Sequence, residues 1–294
     1  MGKAAQEGRL RIFDSHTHLY SQAIIASVRK REGLTDSLCL DVDKAAGRTD
    51  ISALKQECEL TGVDGCLVLP TAPAHKVSEV NDWFITAVEK EKSLLTAGTL
   101  HPSAPDQGQE LERLGRGGIR ALKLCSFSQG FDLEAPETLR FFELIRMHNN
   151  TGAHRFYVIL DTFYKADLYF GAPKNFVTTP RRLGHLASAF PEIDFVGAHM
   201  GGLAAPFSEI VEYLAPRNNL YLDTSNAAHT LSKDEFLRLL HLHGPGHILF
   251  GTDWPWFSHS EEVAHIRNLF HDGGLSFQEQ SAIFSGNICH LLGL

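Results

Sequence analysis

The chain has 294 residues, 43% of them hydrophobic, which is enough for the core of a sizeable α/β fold. A formal net charge of -8, with no basic run longer than Val28-Arg29-Lys30-Arg31, excludes a nucleic-acid-binding surface. Five scattered cysteines without CxxC spacing, a polar start (MGKAAQEGRL) without a signal core and no membrane-length apolar run lead us to expect a cytoplasmic protein with reduced thiols and no membrane partner.

In chain order, strand-like runs fall at 11–16, 63–70, 94–101, 119–125, 155–161, 194–199, 219–225 and 247–253. Helical patterns follow them near 51–61, 76–92, 108–115, 137–150, 180–190, 207–215, 232–241 and 260–271. Strands that are apolar on both faces and alternate with helices predict a parallel sheet closed into a (β/α)8 (TIM) barrel, a single domain over residues 1–294. The alternative, an open doubly wound sheet, lacks a GxGxxG after the first strand. Two long connections, 19–50 (charged, little periodicity) and 162–179 (rich in aromatics), leave C-terminal strand ends and could cover a pocket. A homo-oligomer contact is the other use for one of them. Residues 276–294 read as a helical tail packed on the barrel.

The segment Phe13-Asp14-Ser15-His16-Thr17-His18 places two imidazoles two residues apart, hence on one face of a strand. A second pair, His241 and His243, lies at a helix end. Further polar residues finish other strands: His101, Asp161, His199 and Asp253. In a closed barrel the last strand adjoins the first, bringing Asp253 beside the histidine pair. Gly197 and Gly251, two residues before His199 and Asp253, would leave room at the mouth. Imidazole and carboxylate are the donors that zinc and manganese use. Asp161 and Asp253 could equally cap the turns that follow them. Asp14 shares the strand parity of His16 and is a candidate for fixing its tautomer, or a buried polar group satisfied by backbone. Candidate substrate contacts are His101, Lys123, Phe127, Thr224, Asn226, Trp254 and Trp256, with loop packing the simpler role for Phe127.

The motifs FDSHTH, ALKL, FVGAHMGG and ILFGTDWPW, in this order, and the ending SGNICHLLGL resemble the amidohydrolase superfamily. The fit is to the branch containing aminocarboxymuconate semialdehyde decarboxylase and related hydrolases, over residues 11–293. The resemblance implies one divalent metal ion, zinc or manganese, held by His16, His18 and Asp253 with a fourth ligand ending the fifth strand. The branch usually has a histidine there; this chain has Asp161. That exchange makes the site less positive and favours harder ions. His199 would be the catalytic histidine, with Asp253 sharing the proton handling. In binuclear relatives a lysine at the position of Lys123 bridges two metals; in this branch it is an ordinary lysine, able to anchor a substrate carboxylate.

The expected function is hydrolysis of a small carbonyl compound (a lactone, amide or ester) by a metal-activated water at the barrel mouth. The alternatives are a non-oxidative decarboxylase of an aromatic or unsaturated acid, and a non-catalytic ligand-binding barrel. Arginine is the usual carboxylate clamp, and no expected strand ends in one, although Arg29, Arg31 and Lys165 lie on the long loops.

Overall fold

The computed structural model describes residues 9–151 and 154–294. The stretch read for targeting therefore lies, over residues 1–8, outside the described residues. Strands β1 (Phe13–Thr17), β2 (Gly65–Val68) and β3 (Leu94–Thr96) form one parallel ladder in that order. A second parallel ladder runs through β4 (Gly98–Thr99), β5 (Ala121–Leu124), β6 (Tyr157–Leu160), β7 (Phe195–Gly197), β8 (Leu220–Asp223) and β9 (Ile248–Leu249). β3 and β4 are two halves of the strand expected at 94–101. The ladder breaks at Ala97, whose N–H still donates to Val68 O at 2.9 Å. The ring closes where Ser15 N–H donates to Phe250 O at 2.8 Å, Asp253 N–H to His16 O at 3.0 Å and His18 N–H to Trp254 O at 2.7 Å. The chain is thus a (β/α)8 barrel.

The helices are α1 (Gln22–Arg29), α2 (Ile51–Thr61), α3 (Val77–Val88), α4 (Gln107–Arg116), α5 (Pro136–Thr151), α6 (Pro180–Ala189), α7 (Phe207–Tyr213), α8 (Lys233–His243) and α9 (His259–Asp272), besides shorter turns. Several start on side-chain caps: Asp50, Thr179 and Ser258 accept the N–H groups of Ala53, Arg182 and Glu261, which leaves fewer orphan donors at the first turn. Ser232 and Glu235 form a reciprocal capping box at α8. His241 and His243 close that helix, as expected from its sequence. Helix α1 falls in the connection read as aperiodic. Ser21 caps it, and its Ile25 and Val28 are buried.

Two apolar layers result. One lies between strands and helices, with Leu54, Leu114, Phe142, Phe195 and Phe270 among its members. The other fills the barrel, from Phe13, Leu67, Ala121, Ile159, Val196, Tyr221 and Leu249. The tail closes on this inner layer through Ile288 and Leu292, and the Asn287 amide donates to Pro245 O and Ile248 O, both at 2.7 Å. A third cluster joins Val28, Leu34 and Leu38 from the first long connection to Phe163 from the second, together with Trp256. Among the described residues, no helix is long and apolar enough to cross a membrane.

Candidate active site

The inner face continues upward from the apolar layer by strand alternation. Lys123 follows Ala121, Asp161 follows Ile159, Asp223 follows Tyr221 and Gly251 follows Leu249, each two residues on. A Cβ on Gly251 would stand 2.8 Å from the Cβ of His16, so glycine here lets the first and last strands bring their side chains together. β1 carries an irregularity between Asp14 and Thr17. That shift changes the parity: Phe13 and His16 both face the barrel interior, and Asp14 faces the helices.

Asp14 therefore does not touch the His16 ring, contrary to the parity expectation. Its carboxylate accepts the N–H of His16 at 2.9 Å, the N–H of Thr252 at 3.1 Å and His259 Nε2 at 2.9 Å, tying β1 to the last strand. The parity argument also fails for His199. Gly197 faces the helical layer, where an added Cβ would meet Leu183 at 2.5 Å. His199 reaches the mouth because the chain leaves the strand and turns through positive φ at His199 and Met200 (56° and 52°).

His16, His18 and Asp253 converge. His16 Nε2 and His18 Nε2 are 3.0 Å apart, and Asp253 Oδ1 lies 3.9 Å and 3.6 Å from them. His18 Nδ1 donates to Leu69 O at 3.0 Å, and His16 Nδ1 donates to Asp223 Oδ2 at 2.8 Å. Both Nε2 atoms then carry lone pairs, since each ring is neutral. Burial, then Lys123, lowers the His16 pKa to about 4. Burial, then the neighbouring His16, takes His18 well below its ordinary value. Two acceptors facing one another in a buried group call for a cation between them. Burial likewise raises the Asp253 pKa to about 7, with Asp161 and Asp223 adding to it and His199 and Lys123 opposing it. This donor set fits a divalent ion.

Asp161 falls outside that cluster. Its Oδ2 stands 3.7 Å from Lys123 Nζ and 3.9 Å from His199 Nε2, and its Oδ1 accepts the N–H of Phe163 at 3.1 Å. Burial works against its charge, yet Lys123 and His199 hold it below the usual carboxylate range. His199 Nδ1 donates to Ser225 O at 2.8 Å, leaving Nε2 to face the pocket. Burial pulls the His199 pKa down, but Asp161, Asp253 and Asp223 outweigh it and raise it to about 9.

These groups open on a cavity of about 430 Å³ lined by His18, Lys123, Asp161, His199, Asn226 and Asp253, with Phe127 and Trp256 farther out. Lys123 Nζ and both amide atoms of Asn226 are buried without a hydrogen-bond partner. Three expected contacts do not line the cavity. His101 is held by Gln129 O and the Ser103 N–H, both at 3.0 Å. The hydroxyl of Thr224 donates to Gly251 O at 3.0 Å, bracing β8 against the last strand. Trp254 points outward, its Nε1–H donating to Glu57 at 3.0 Å, because it precedes the turn that brings Trp256 inside. Arg31 is drawn away to Tyr169 O at 2.7 Å, its guanidinium over the Phe170 ring.

Asp223 escaped the sequence reading. It is 1% exposed, bonds the His16 ring and accepts the His199 N–H at 2.9 Å, so one carboxylate orients two histidines. The available signal was alternation: Asp223 lies two residues beyond the inward-facing Tyr221, whereas Thr224 lies on the opposite parity.

The amidohydrolase family model matches residues 74–294. No curated protein matches the sequence. Among solved structures, 5-carboxyvanillate decarboxylase from Sphingomonas paucimobilis is similar, with a TM-score of 0.70 and 18% identity, covering 97% of this chain and 99% of that one. Dihydroxybenzoic acid decarboxylase from Polaromonas sp. JS666, with bound manganese and the inhibitor 2-nitroresorcinol, gives 0.68 and 18%, covering 97% of each chain. A probable 2-pyrone-4,6-dicarboxylic acid hydrolase from Acinetobacter baumannii, with citric acid bound, gives 0.63 and 15%, covering 97% of this chain and 100% of that one. At these identities the likeness establishes the shared fold.

Proposed function

Because the chain belongs to the amidohydrolase family, we propose that it is a metal-dependent enzyme that removes a carboxyl group, without oxidation, from an aromatic or unsaturated acid. The observation that carries this reading is the pair of buried groups on the pocket wall without a hydrogen-bond partner: the Lys123 ammonium, which has only the ion pair with Asp161 at 3.7 Å, and the Asn226 amide. A cation and an amide donor with free hydrogen-bonding capacity suit a substrate carboxylate, and leaving that capacity unmatched in a buried wall is costly. This reverses the preference for hydrolysis, which rested on the lack of a strand-end arginine. The decarboxylases among the similar structures support the same choice.

His16, His18 and Asp253 would hold the ion, with Asp223 fixing the tautomer of His16. When bound, a divalent ion such as manganese or zinc supplies Lewis-acid stabilisation of negative charge on a substrate oxygen. Lys123 and Asn226 hold the carboxylate, and His199, whose pKa Asp161, Asp253 and Asp223 raise against burial, presents Nε2–H to the substrate. As the carbon–carboxyl bond breaks, its electron pair stays on the substrate carbon and carbon dioxide leaves. The His199 proton then moves to that carbon, and water restores it. Asp161, between Lys123 and His199, positions both and keeps the histidine charged.

The test is to supply the manganese-loaded protein with hydroxybenzoates and, separately, small lactones, following carbon dioxide and acid release. Carbon dioxide evolution that disappears in His199→Ala, and a KM raised about tenfold or more in Lys123→Met, are expected. Lactone hydrolysis without carbon dioxide from any acid would overturn the assignment in favour of hydrolysis.

A further inference from the structure

The cavity has two chemically different ends. The strand ends supply the charged groups already described. The opposite end is walled by Ile24, Val28, Leu34 and Leu38 from the first long connection and by Phe163 and Phe170 from the second. Val28, Leu34, Leu38 and Phe163 are buried in their own apolar cluster, separate from the two layers of the barrel. That end is consequently a preformed apolar surface, packed before any ligand arrives.

Cations are lacking there. Among the described residues, Lys123 is the single lysine or arginine lining the cavity, and it stands at the charged end. Arg31, from the first long connection, is taken up by Tyr169 O and the Phe170 ring. Thr71 and Ser128 add hydroxyls, which cannot neutralise a second carboxylate. Desolvating such a group against leucine and phenylalanine would disfavour its binding strongly. A monoacid with an apolar substituent meets matching chemistry at both ends, and a diacid does not.

We infer that the substrate is an acid whose reacting head carries an alkyl or arylalkyl arm, received by the surface between Ile24, Leu34, Leu38, Phe163 and Phe170. The identity of the head rests on the decarboxylase reading; the arm is read from the cavity wall alone. A homologous series separates the two. The manganese-loaded protein is given 2-hydroxybenzoic acids bearing methyl, propyl and pentyl groups, and both carbon dioxide release and calorimetric Kd are recorded. Kd should tighten, and kcat/KM rise, about threefold per added methylene along the series. In Ile24→Asp, a substitution at a half-exposed position, and in Phe170→Ala, the preference for the pentyl over the methyl compound should fall at least tenfold. Tightening of Kd with no carbon dioxide from any member keeps the arm and removes the decarboxylase reading. Carbon dioxide with a flat or inverted series, an absence of binding by every member, or an undiminished preference in both variants overturns the arm.

Discussion

Two buried groups of potential ligands differ in a way that defines the site. His16, His18 and Asp253 sit at the barrel mouth; Cys58, Cys66 and His259 sit behind the wall, between β1, β2 and helices α2 and α9. Each offers three donors within a few ångströms, and each is buried. At the mouth, Nδ1 of each ring is used and both Nε2 lone pairs are left facing each other beside a cavity. Behind the wall, the atoms that face one another are engaged with each other or with Asp14, and His259 Nδ1 has only Glu57 Oε1 at 4.0 Å. His259 Nε2 donates to Asp14 at 2.9 Å, and its pKa is raised because Asp14 outweighs the effect of burial. The Cys66 thiol, 3.2 Å from Cys58 Sγ, is pushed well up by burial and stays protonated. Donor type and spacing are alike, so the difference lies in unshared lone pairs and access. The first group is arranged for a ligand and the second for holding β1 against the last strand.

The sharpest way to break this comparison is to remove one group at a time. His16→Ala or His18→Ala should abolish stoichiometric manganese and lower turnover on the order of a thousandfold, about 4 kcal/mol of transition-state stabilisation. The double substitution of Cys58 and Cys66 by Ala should retain up to one equivalent by elemental analysis. Loss of the metal from the cysteine variant would transfer the site to the other side of the wall. Two equivalents in the unaltered protein would instead revive a bridging role for Lys123.

A smaller effect is expected from His259→Asn. It leaves the Asp14 carboxylate without its charged partner in a region that both residues keep at 0% exposure. Unfolding by denaturant should show a loss of about 3 kcal/mol with metal content intact. An unchanged midpoint would mean that Asp14 is satisfied by the His16 backbone and by the N–H and hydroxyl of Thr252.

Asp223→Asn sharpens the mouth itself. Since Asp223 acts through His16 and His199, metal affinity should weaken by about 10- to 100-fold with the fold preserved. The same substitution at Asp161 should leave metal affinity nearly unchanged and lower turnover about tenfold, because its oxygens face Lys123 and His199. Equal loss of metal in both variants would make Asp161 a ligand.

Much of this architecture could be read from local pattern. Apolar runs such as CLVL and YVIL, each followed by an amphipathic helix, bury both faces of a strand wherever they occur, so the alternation implies a parallel barrel without knowledge of any contact. The strand-end positions of His16, His18, His199 and Asp253 follow from the same alternation, since parallel strands deliver their C-terminal ends to one rim. Side-chain direction beyond the strands was decided by tertiary structure. The irregularity in β1 turns Asp14 outward and His16 inward, and two left-handed residues aim His199 into the pocket. Partner inventory belongs to the same level: whether Asp223 has two histidines to orient, or Lys123 and Asn226 none to bond, depends on what other strands place opposite them. Periodicity is carried by neighbours in the chain, whereas a lone pair without a partner is defined by groups hundreds of residues away, brought close only when the barrel closes.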